Sequence, residues 1–399
     1  MIKINNSKIS RMKALLNQQR FLLLVGCLFF CGCSSHKAQT SLTLSPCDTV
    51  VFSRPIAFVR SIYMPEYDTQ VNTYARPSIS PEFESEFCFC INSLTPVSVF
   101  PLHGKVRDFI IEDVNSMILR PCWDSLFYRI DSLGKTVNIL SGYFAEPDND
   151  KLSIFTLNFG FPLKKEGEKR LFYTHLYNPK DSENAAVHFN EEKKEKHFSR
   201  PCVSEFLITE NQIINTRTPI APYPKIFTEK GVSYSSYISH VALNRNLDVI
   251  TCFLHIDSLF VNSPNHELKC YPLHSIYKTK RENYDSKQMH DKVYTAQYAC
   301  KHTSYTNLLY DSYRNQYYVM VSKATNYENS DGTFNAPEDK PWSLMIIDST
   351  YNKIAEIDMP DHYSKHEIMI VPNGIAIQEK NLTEKNQYPV YVIHKIEKQ

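Results

Sequence analysis

Short apolar segments recur along the chain and alternate with clusters of turn-forming residues. Each segment has four to six residues, is rich in β-branched or aromatic types, and is bounded by Asn, Asp, Pro, Ser or Gly. The clearest segments are 137–140, 152–157, 249–254, 317–321, 344–347, 368–371 and 390–393. This pattern is typical of short β-strands, and the periodicity of long helices is scarce. The chain is therefore predicted to be all-β, as a barrel, a sandwich or a propeller.

A weak internal repeat favours the propeller. Four similar segments each follow an apolar or aromatic strand: Ile91–Leu94, Ile130–Leu133, Ile256–Leu259 and Ile347–Thr350. They are 39, 126 and 91 residues apart, close to one, three and two units of about 42 to 46 residues, the length of a four-stranded blade. We predict six or seven blades, with seven preferred. Asp131, Asp257 and Asp348 are interpreted as structural turn residues whose carboxylates accept backbone N–H groups.

The first 35 residues predict export. Basic residues precede an apolar run at 21–30 that ends in Cys31-Gly32-Cys33. These are the parts of a signal peptide, and the run is shorter than the roughly 20 residues that span a bilayer. The segment resembles a bacterial lipoprotein signal, in which the cysteine after the cleavage site is lipidated. We predict lipidation at Cys33. Cys27 is the alternative, because Leu24 to Gly26 match the lipobox more closely, but that cleavage leaves an apolar core of six residues, which is too short.

These features divide the chain into three parts. Residues 1–32 are the predicted signal peptide, residues 33–50 the lipidated N-terminus and flexible tether, and residues 51–399 a single propeller domain. The lipid would anchor the protein to a membrane of the cell envelope. Ser34 after the cysteine resembles lipoproteins of the outer membrane, and no acidic cluster follows it, so the periplasmic face is favoured.

The net charge argues against two classes of partner. Without the five basic residues before Cys33, the chain has 39 basic and 43 acidic residues, a net charge near −4. Neither nucleic acid nor an anionic lipid surface is a natural partner for that charge. The mixed-charge run at 191–196 is interpreted as a solvated loop.

Eight cysteines follow Cys33. They are widely dispersed in a long chain, so we expect most to be buried thiols.

The search for catalytic and metal motifs is negative. Eight glycines follow Cys33 and no two lie within five residues of each other, which excludes G-x-G-x-x-G, the Walker loop and the G-x-S-x-G elbow. His362 and His366 have the spacing of a helical zinc pair but adjoin Pro360 and a predicted strand. The groups Cys270 with His274 and Asp148 to Asp150 are equally weak. We therefore predict no metal site and no cofactor, and we assign no catalytic residue.

Several segments of the C-terminal third carry a family resemblance. They are Leu308–Asp311, Arg314–Tyr318, Leu344–Asp348, Asn352–Glu356 and Asn373–Ile375. Together they resemble an uncharacterised family of bacterial lipoproteins with a TolB-like propeller domain, a domain of unknown function. The resemblance implies a β-propeller in the cell envelope and no known activity.

Three hypotheses for function follow. The leading one is an envelope-anchored binding or scaffold module, held to the membrane by its lipid, with an envelope protein or a glycan as the ligand. The alternatives are a glycan- or peptide-processing enzyme with carboxylates in its loops, and a ligand sensor. The many tyrosines, as at 234–237 and 310–318, suit stacking on a ligand, but we interpret them as packing between blades.

Overall fold

The computed structural model describes residues 42–103, 106–121, 126–143, 153–155, 163–167, 169–177, 191–199, 201–229, 232, 234–237, 239–265, 267–280, 282–288, 290–386 and 388–398. Within them, twenty-five strands pair into five sheets. Sheet I contains β2 (Ala57–Met64), β3 (Thr69–Pro77), β4 (Ser85–Ile91) and β5 (Ser98–Leu102). Sheet II contains β6 (Val106–Asp113), β7 (Ser116–Pro121), β8 (Leu126–Asp131), β9 (Thr136–Tyr143), β10 (Ser153–Phe155), β11 (Leu163–Glu166), β12 (Lys169–Tyr177), β13 (Pro201–Ile208) and β14 (Gln212–Pro222).

The remaining strands form three sheets of four. Sheet III contains β15 (Ser239–Leu243), β16 (Val249–Phe253), β17 (Ser258–Asn262) and β18 (Leu268–Pro272). Sheet IV contains β19 (Ser304–Asp311), β20 (Gln316–Ser322), β21 (Trp342–Ile347) and β22 (Lys353–Met359). Sheet V contains β23 (Tyr363–Val371), β24 (Gly374–Glu379), β25 (Val390–Lys398) and β1 (Leu42–Val51). The helices of the described residues are α1 (Glu191–Phe198), α2 (Lys292–Lys301) and α3 (Lys380–Asn386).

The fold is all-β, and its four-stranded sheets have a propeller-like arrangement. The first strands of sheets I, III, IV and V contact one another, and the gap lined by β2, β15 and β19 measures about 40 Å³. Neighbouring sheets bury apolar faces against each other, as Leu308 and Val319 of sheet IV do with Ile250 of sheet III. This packing hides both faces of most sheets, which explains why several strands are apolar throughout.

The blade number differs from the expected six or seven. The described residues contain four separate four-stranded blades, in sheets I, III, IV and V. The other nine strands form one sheet, because β14 pairs in parallel with β9 over Gln212–Ile214. A count from chain length could not foresee that pairing.

The tether boundary also differs from the expectation. Residues 42–51, most of which the sequence assigned to the flexible tether, form β1 and pair with β25 from Leu42 opposite Lys398 to Val51 opposite Val390. The segment is weakly apolar, so its own sequence gives little strand signal. It becomes a strand because the edge of β25 offers unpaired backbone groups, which β1 satisfies.

Antiparallel pairing sorts the connections onto two faces. One side, which we call the turn face, carries the turns between the first and second strands of each four-stranded sheet and between the third and fourth strands of sheets I, III and IV, such as 312–315 and 348–352. The opposite side, which we call the loop face, carries the connections that contain α1, α2 and α3 and also the connection 323–341. The loop face therefore carries the long connections between the strands.

The charged run at 191–196 is part of helix α1, so its interpretation as a solvated loop was wrong. Lys194 is 4% exposed, and its ammonium donates to the carbonyls of Glu229 at 2.6 Å and Val232 at 2.8 Å. Phe198 at the end of the helix packs on Phe227 and Tyr237 with ring centroids 5.3 and 4.8 Å apart. Acceptors more than thirty residues away thus compensate the burial of the charge.

Cysteines of the described residues are free thiols. Cys88, Cys90, Cys202, Cys252 and Cys300 are buried, and Cys47 and Cys270 are exposed. Burial raises the pKa of Cys88 to about 11 and that of Cys202 to about 12. In the described part of the chain, no helix is both long enough and apolar enough to cross a bilayer.

Candidate functional site

A pocket of about 340 Å³ opens on the loop face of sheet III. The turn between β16 and β17 forms one wall, and the connection between β18 and β19, which contains α2, forms another. The described residues that line it are Ile226, Tyr234, His255, Ile256, Asp257, Ser258, Lys278, Thr279, Lys280, Tyr298, His302, Thr303 and Tyr305. The lining therefore combines aromatic faces with histidines, lysines and a carboxylate.

Asp257 holds two walls of the pocket together. Its carboxylate accepts hydrogen bonds from the Tyr305 hydroxyl at 2.5 Å and the Ser275 backbone N–H at 3.2 Å. It also forms an ion pair with the Lys278 ammonium at 3.0 Å. Burial, followed by the contact with this carboxylate, raises the pKa of Tyr305 well above its usual value. The carboxylate of Asp257 is thus bound by other groups of the protein.

His255 and Ser235 form a close pair beside the pocket. Ser235 Oγ lies 2.8 Å from His255 Nε2, and His255 Nδ1 lies 3.5 Å from the Thr303 carbonyl oxygen. The carbonyl requires a proton on Nδ1, which assigns Nε2 as the acceptor of the Ser235 hydroxyl. Burial lowers the pKa of His255 to about 4, so the imidazole is neutral at pH 7.

His302 presents an acceptor nitrogen at the pocket wall. Its Nδ1 lies 2.8 Å from the Tyr298 carbonyl oxygen and therefore donates to it, so that in the neutral imidazole Nε2 has the lone pair. Nε2 is buried and makes no hydrogen bond within the described residues, although Glu282 Oε2 lies 3.9 Å away. The rings of Tyr298 and His302 lie 4.1 Å apart. A ligand hydroxyl or amide that reached Nε2 would satisfy a buried acceptor.

Lys340 fixes the end of α2, from which Tyr298 and His302 extend. The residue is 4% exposed, and its ammonium donates to the carbonyls of Ala299 at 2.7 Å and His302 at 2.6 Å. Burial, reinforced by repulsion from Lys365, lowers the pKa of Lys340 to about 8. A cation at the last carbonyls of a helix is favourable, so Lys340 stabilises this wall of the pocket.

The three aspartates singled out from the repeat do not lie together. Asp131 accepts the N–H groups of Leu133 and Lys135, both at 2.9 Å, in the turn between β8 and β9. Asp348 does the same for Thr350 and Asn352, both at 2.9 Å, between β21 and β22 on the turn face. Asp257 instead lies between the second and third strands of its sheet, on the loop face. Cys33 and Cys27 lie outside the described residues.

Residues of the family-like segments connect sheets and do not line the pocket. Asp311 accepts hydrogen bonds from Tyr318 and Arg314, both at 2.6 Å, and Arg314 also donates to the Pro372 carbonyl of sheet V at 2.8 Å. Gly374 begins β24 so close to β25 that a Cβ would lie 2.0 Å from the carbonyl oxygen of His394. The resemblance therefore depends on residues that build the fold.

The other candidate groups remain separate. Cys270 and His274 are exposed, and His362 precedes β23 whereas His366 lies within it. Across the residues that the structure describes, no group of three or more His, Cys, Asp or Glu side chains could hold a metal ion. Asp148 to Asp150 lie outside these residues.

Comparison with known proteins gives one family and several similar folds. The model of a family described as "Domain of unknown function (DUF4221)" matches residues 146–358. The crystal structure of a DUF4221 family member from Bacteroides vulgatus ATCC 8482 is 16% identical, with a TM-score of 0.65 over 90% of this chain and 100% of that chain. That similarity concerns the fold alone. A search of curated proteins gave no match.

Two further solved structures are more distant. A luciferin-regenerating enzyme is 9% identical, with a TM-score of 0.38 over 88% of this chain and 95% of that chain. A calcium-binding protein, regucalcin, from Agrobacterium tumefaciens str. C58 is 9% identical, with a TM-score of 0.36 over 89% of this chain and 96% of that chain. Neither similarity bears on function.

Proposed function

Because the chain belongs to the DUF4221 family, whose function is unknown, we propose a function from the loop-face pocket: a lipid-anchored envelope protein that binds a small polar ligand there. The observation that carries the proposal is the pocket of about 340 Å³ with the buried acceptor His302 Nε2 in its wall. That volume lies within the range of roughly 300 to 1,000 Å³ that is usual for ligand sites.

The lining supports a ligand rich in hydroxyl or amide groups. Tyr298 and Tyr305 are nearly buried and offer aromatic surface, and the exposed Lys278 and Lys280 offer donors at the rim. Aromatic faces beside hydrogen-bonding groups are typical of sites for sugars and short peptides. A glycan or peptide fragment is accordingly the proposed ligand.

Hydrolysis or acyl transfer is the second candidate function, favoured by the Ser235–His255 pair. A serine hydrogen-bonded to a neutral imidazole is the arrangement of a nucleophile and its base. However, the third partner is a carbonyl at 3.5 Å, and a pKa of about 4 makes His255 a weak base at neutral pH. Asp257 is the one carboxylate among the described lining residues, so the paired carboxylates of a glycosidase are not present there. Binding is therefore preferred.

Envelope location is part of the proposal and is supported by the sequence. The basic head, the apolar run at 21–30 and Cys33 are the parts of a lipoprotein signal. We place the protein on the outer membrane with the periplasmic face preferred, as a binding or scaffold module with a TolB-like ring. Mass spectrometry of the membrane fraction should find acyl chains on Cys33, and an unmodified Cys33 would contradict the anchor.

We also propose that sheet II acts as two blades, β6–β9 and β11–β14, so that the ring has six units. The two halves join through a parallel pairing of only three residue pairs, Ser141–Tyr143 with Gln212–Ile214. An experimental structure in which this pairing extends along both strands would contradict the proposal.

The ligand proposal can be tested on the full-length protein. Neutral oligosaccharides and short peptides are screened for a rise in melting temperature, and hits are measured by calorimetry. We expect Lys278→Ala and His302→Phe to weaken binding by about tenfold or more, because each removes a hydrogen-bonding group of the pocket. Lys287→Ala, at an exposed lysine outside the lining, should bind as the wild type does.

Two outcomes would contradict binding in this pocket. If a hit binds all three variants with wild-type affinity, the ligand occupies another site. If the protein cleaves a nitrophenyl ester and Ser235→Ala abolishes the cleavage, the enzymatic function is correct instead.

A further inference from the structure

The chain enters the ring of sheets on the turn face. Strand β25 begins after α3 on the loop face and ends on the turn face. Leu42 pairs with Lys398 at the end of β25, and Val51 pairs with Val390 at its beginning. Strand β1 therefore begins on the turn face, at the outer edge of sheet V.

The segment before β1 is short. Nine residue steps separate Cys33 from Leu42, and a fully extended chain of that length spans about 30 Å. A lipid on Cys33 would therefore keep the start of β1, and with it the turn face, close to the bilayer.

An exposed apolar patch occupies the same face. It comprises Tyr67, Val97, Val114 and Leu133, which are 46%, 55%, 38% and 75% exposed and which lie in four different turns. We call it the turn-face patch. The Tyr67 hydroxyl donates to the Glu112 carbonyl at 3.0 Å, and Ser98 Oγ donates to the Val114 carbonyl.

The fourth turn of the patch, which carries Leu133, lies next to the turn that carries Val114. Ser116 pairs with Asp131, so the turn with Val114 and the turn with Leu133 lie side by side. Sheet I, which carries Tyr67 and Val97, packs directly on sheet V, where Tyr74 and Cys88 join a cluster with Met369 and Tyr391. The patch is therefore next to the sheet through which the chain enters.

We propose that the turn-face patch lies against the membrane surface, so that the loop face and its pocket point away from the bilayer. This inference rests on the proposed lipid anchor at Cys33. A tyrosine beside aliphatic side chains suits the boundary between head groups and acyl chains. The net charge near −4 of the chain after Cys33 gives no attraction to anionic lipids, so the contact is with neutral lipid.

The test uses full-length lipidated protein in phosphatidylcholine vesicles with and without brominated phosphatidylcholine. Bromine quenches tryptophan emission only at short range. Leu133→Trp places the probe on the turn-face patch, and Phe334→Trp, 64% exposed between β20 and β21, is the loop-face control. We expect bromine to reduce the added emission of Leu133→Trp about twofold and to leave Phe334→Trp unchanged. Val97→Trp repeats the measurement in a second turn.

The outcomes separate the inference from the anchor on which it rests. Flotation with the vesicles reports the anchor, and Cys33→Ser should abolish it. If the wild type does not float, or Cys33→Ser floats equally well, the anchor and the inference both fail. If the wild type floats but Phe334→Trp is quenched as strongly as Leu133→Trp, or if no turn-face probe is quenched, the orientation is wrong and the anchor stands.

Discussion

Asp311 accepts four hydrogen bonds although its side chain is fully buried. The donors are the N–H groups of Tyr313 and Arg314, the guanidinium of Arg314 and the hydroxyl of Tyr318. Through Arg314, the same carboxylate connects sheet IV with sheet V. Its negative charge is thus compensated at every acceptor position, and its loss would leave Arg314 without its counter-ion.

We expect Asp311→Asn to lower the free energy of unfolding by about 3 kcal/mol, because it keeps the shape of the side chain but leaves a partly buried guanidinium uncompensated. Urea unfolding monitored by circular dichroism measures the difference. The control is Asp331→Asn, at an exposed aspartate of the connection 323–341, which should change stability by less than about 0.5 kcal/mol. Equal midpoints for the two variants would refute the role of Asp311.

The pKa of Lys340 predicts a pH dependence. Burial lowers this pKa to about 8, below the usual value near 10.4 in an unfolded chain. Between these values the unfolded state binds more protons than the folded state, so stability from this group rises with pH. We expect the unfolding free energy of the wild type, relative to Lys340→Met, to increase by about 2 kcal/mol between pH 8 and pH 10. A flat difference across this pH range would contradict the lowered pKa of Lys340.

Residues of the pocket could not be recognised in the sequence. Tyr298 and His302 belong to α2 and its end, whereas His255 and Asp257 come from a turn more than forty residues earlier. No motif links them, because only the packing of that helix on sheet III brings them together. Asp257 was found through the repeat, but its position on the loop face depends on strand order, which a short repeat does not encode.

At the scale of elements, the sequence predicted strands wherever an apolar run was bounded by turn residues. The segments 317–321 and 344–347 lie inside β20 and β21, which are buried almost throughout. The helix α1 and the strand β1 were missed for a common reason. Their stabilising partners, the carbonyls at 229 and 232 and the edge of β25, are distant in sequence.

The pairing of β1 predicts which N-terminal residues the fold needs for its stability. We expect a chain that begins at residue 42 to melt at the same temperature as one that begins at residue 34. A chain that begins at residue 52 loses the outer strand of sheet V and leaves the edge of β25 unpaired, so it should melt far lower or aggregate. Differential scanning calorimetry makes the comparison. Equal melting temperatures for the chains from 42 and 52 would show that β1 is dispensable.

At the scale of the whole molecule, packing between sheets determines the chemistry of the thiols. Five cysteines of the described residues are buried, four of them in strands and Cys300 in α2, and burial raises the pKa of each. A protonated thiol without access to solvent is a poor nucleophile. The fold therefore protects these positions even in an oxidising compartment.

We expect the folded domain, beginning at residue 42 and carrying Cys122→Ser because residue 122 lies outside the described ranges, to react at two thiols, Cys47 and Cys270. In denaturant, all seven should react with a chromogenic disulfide reagent. The amplitude of the rapid phase of the absorbance change at pH 8 gives the number of accessible thiols. Rapid reaction of more than two thiols in the folded protein would contradict the burial of the rest.

The pairing of Leu42 with Lys398 also has a consequence in time. Strand β1 can complete sheet V only after β25, the last strand, has been synthesised. The contact therefore joins residues that are almost as far apart in sequence as the chain allows, and the entropic cost of closing this loop is close to its maximum. Until β25 has been synthesised, strand β1 remains without its partner. A polypeptide that ends before β25 would leave β1 unpaired, and an unpaired terminal segment is readily cleaved by proteases.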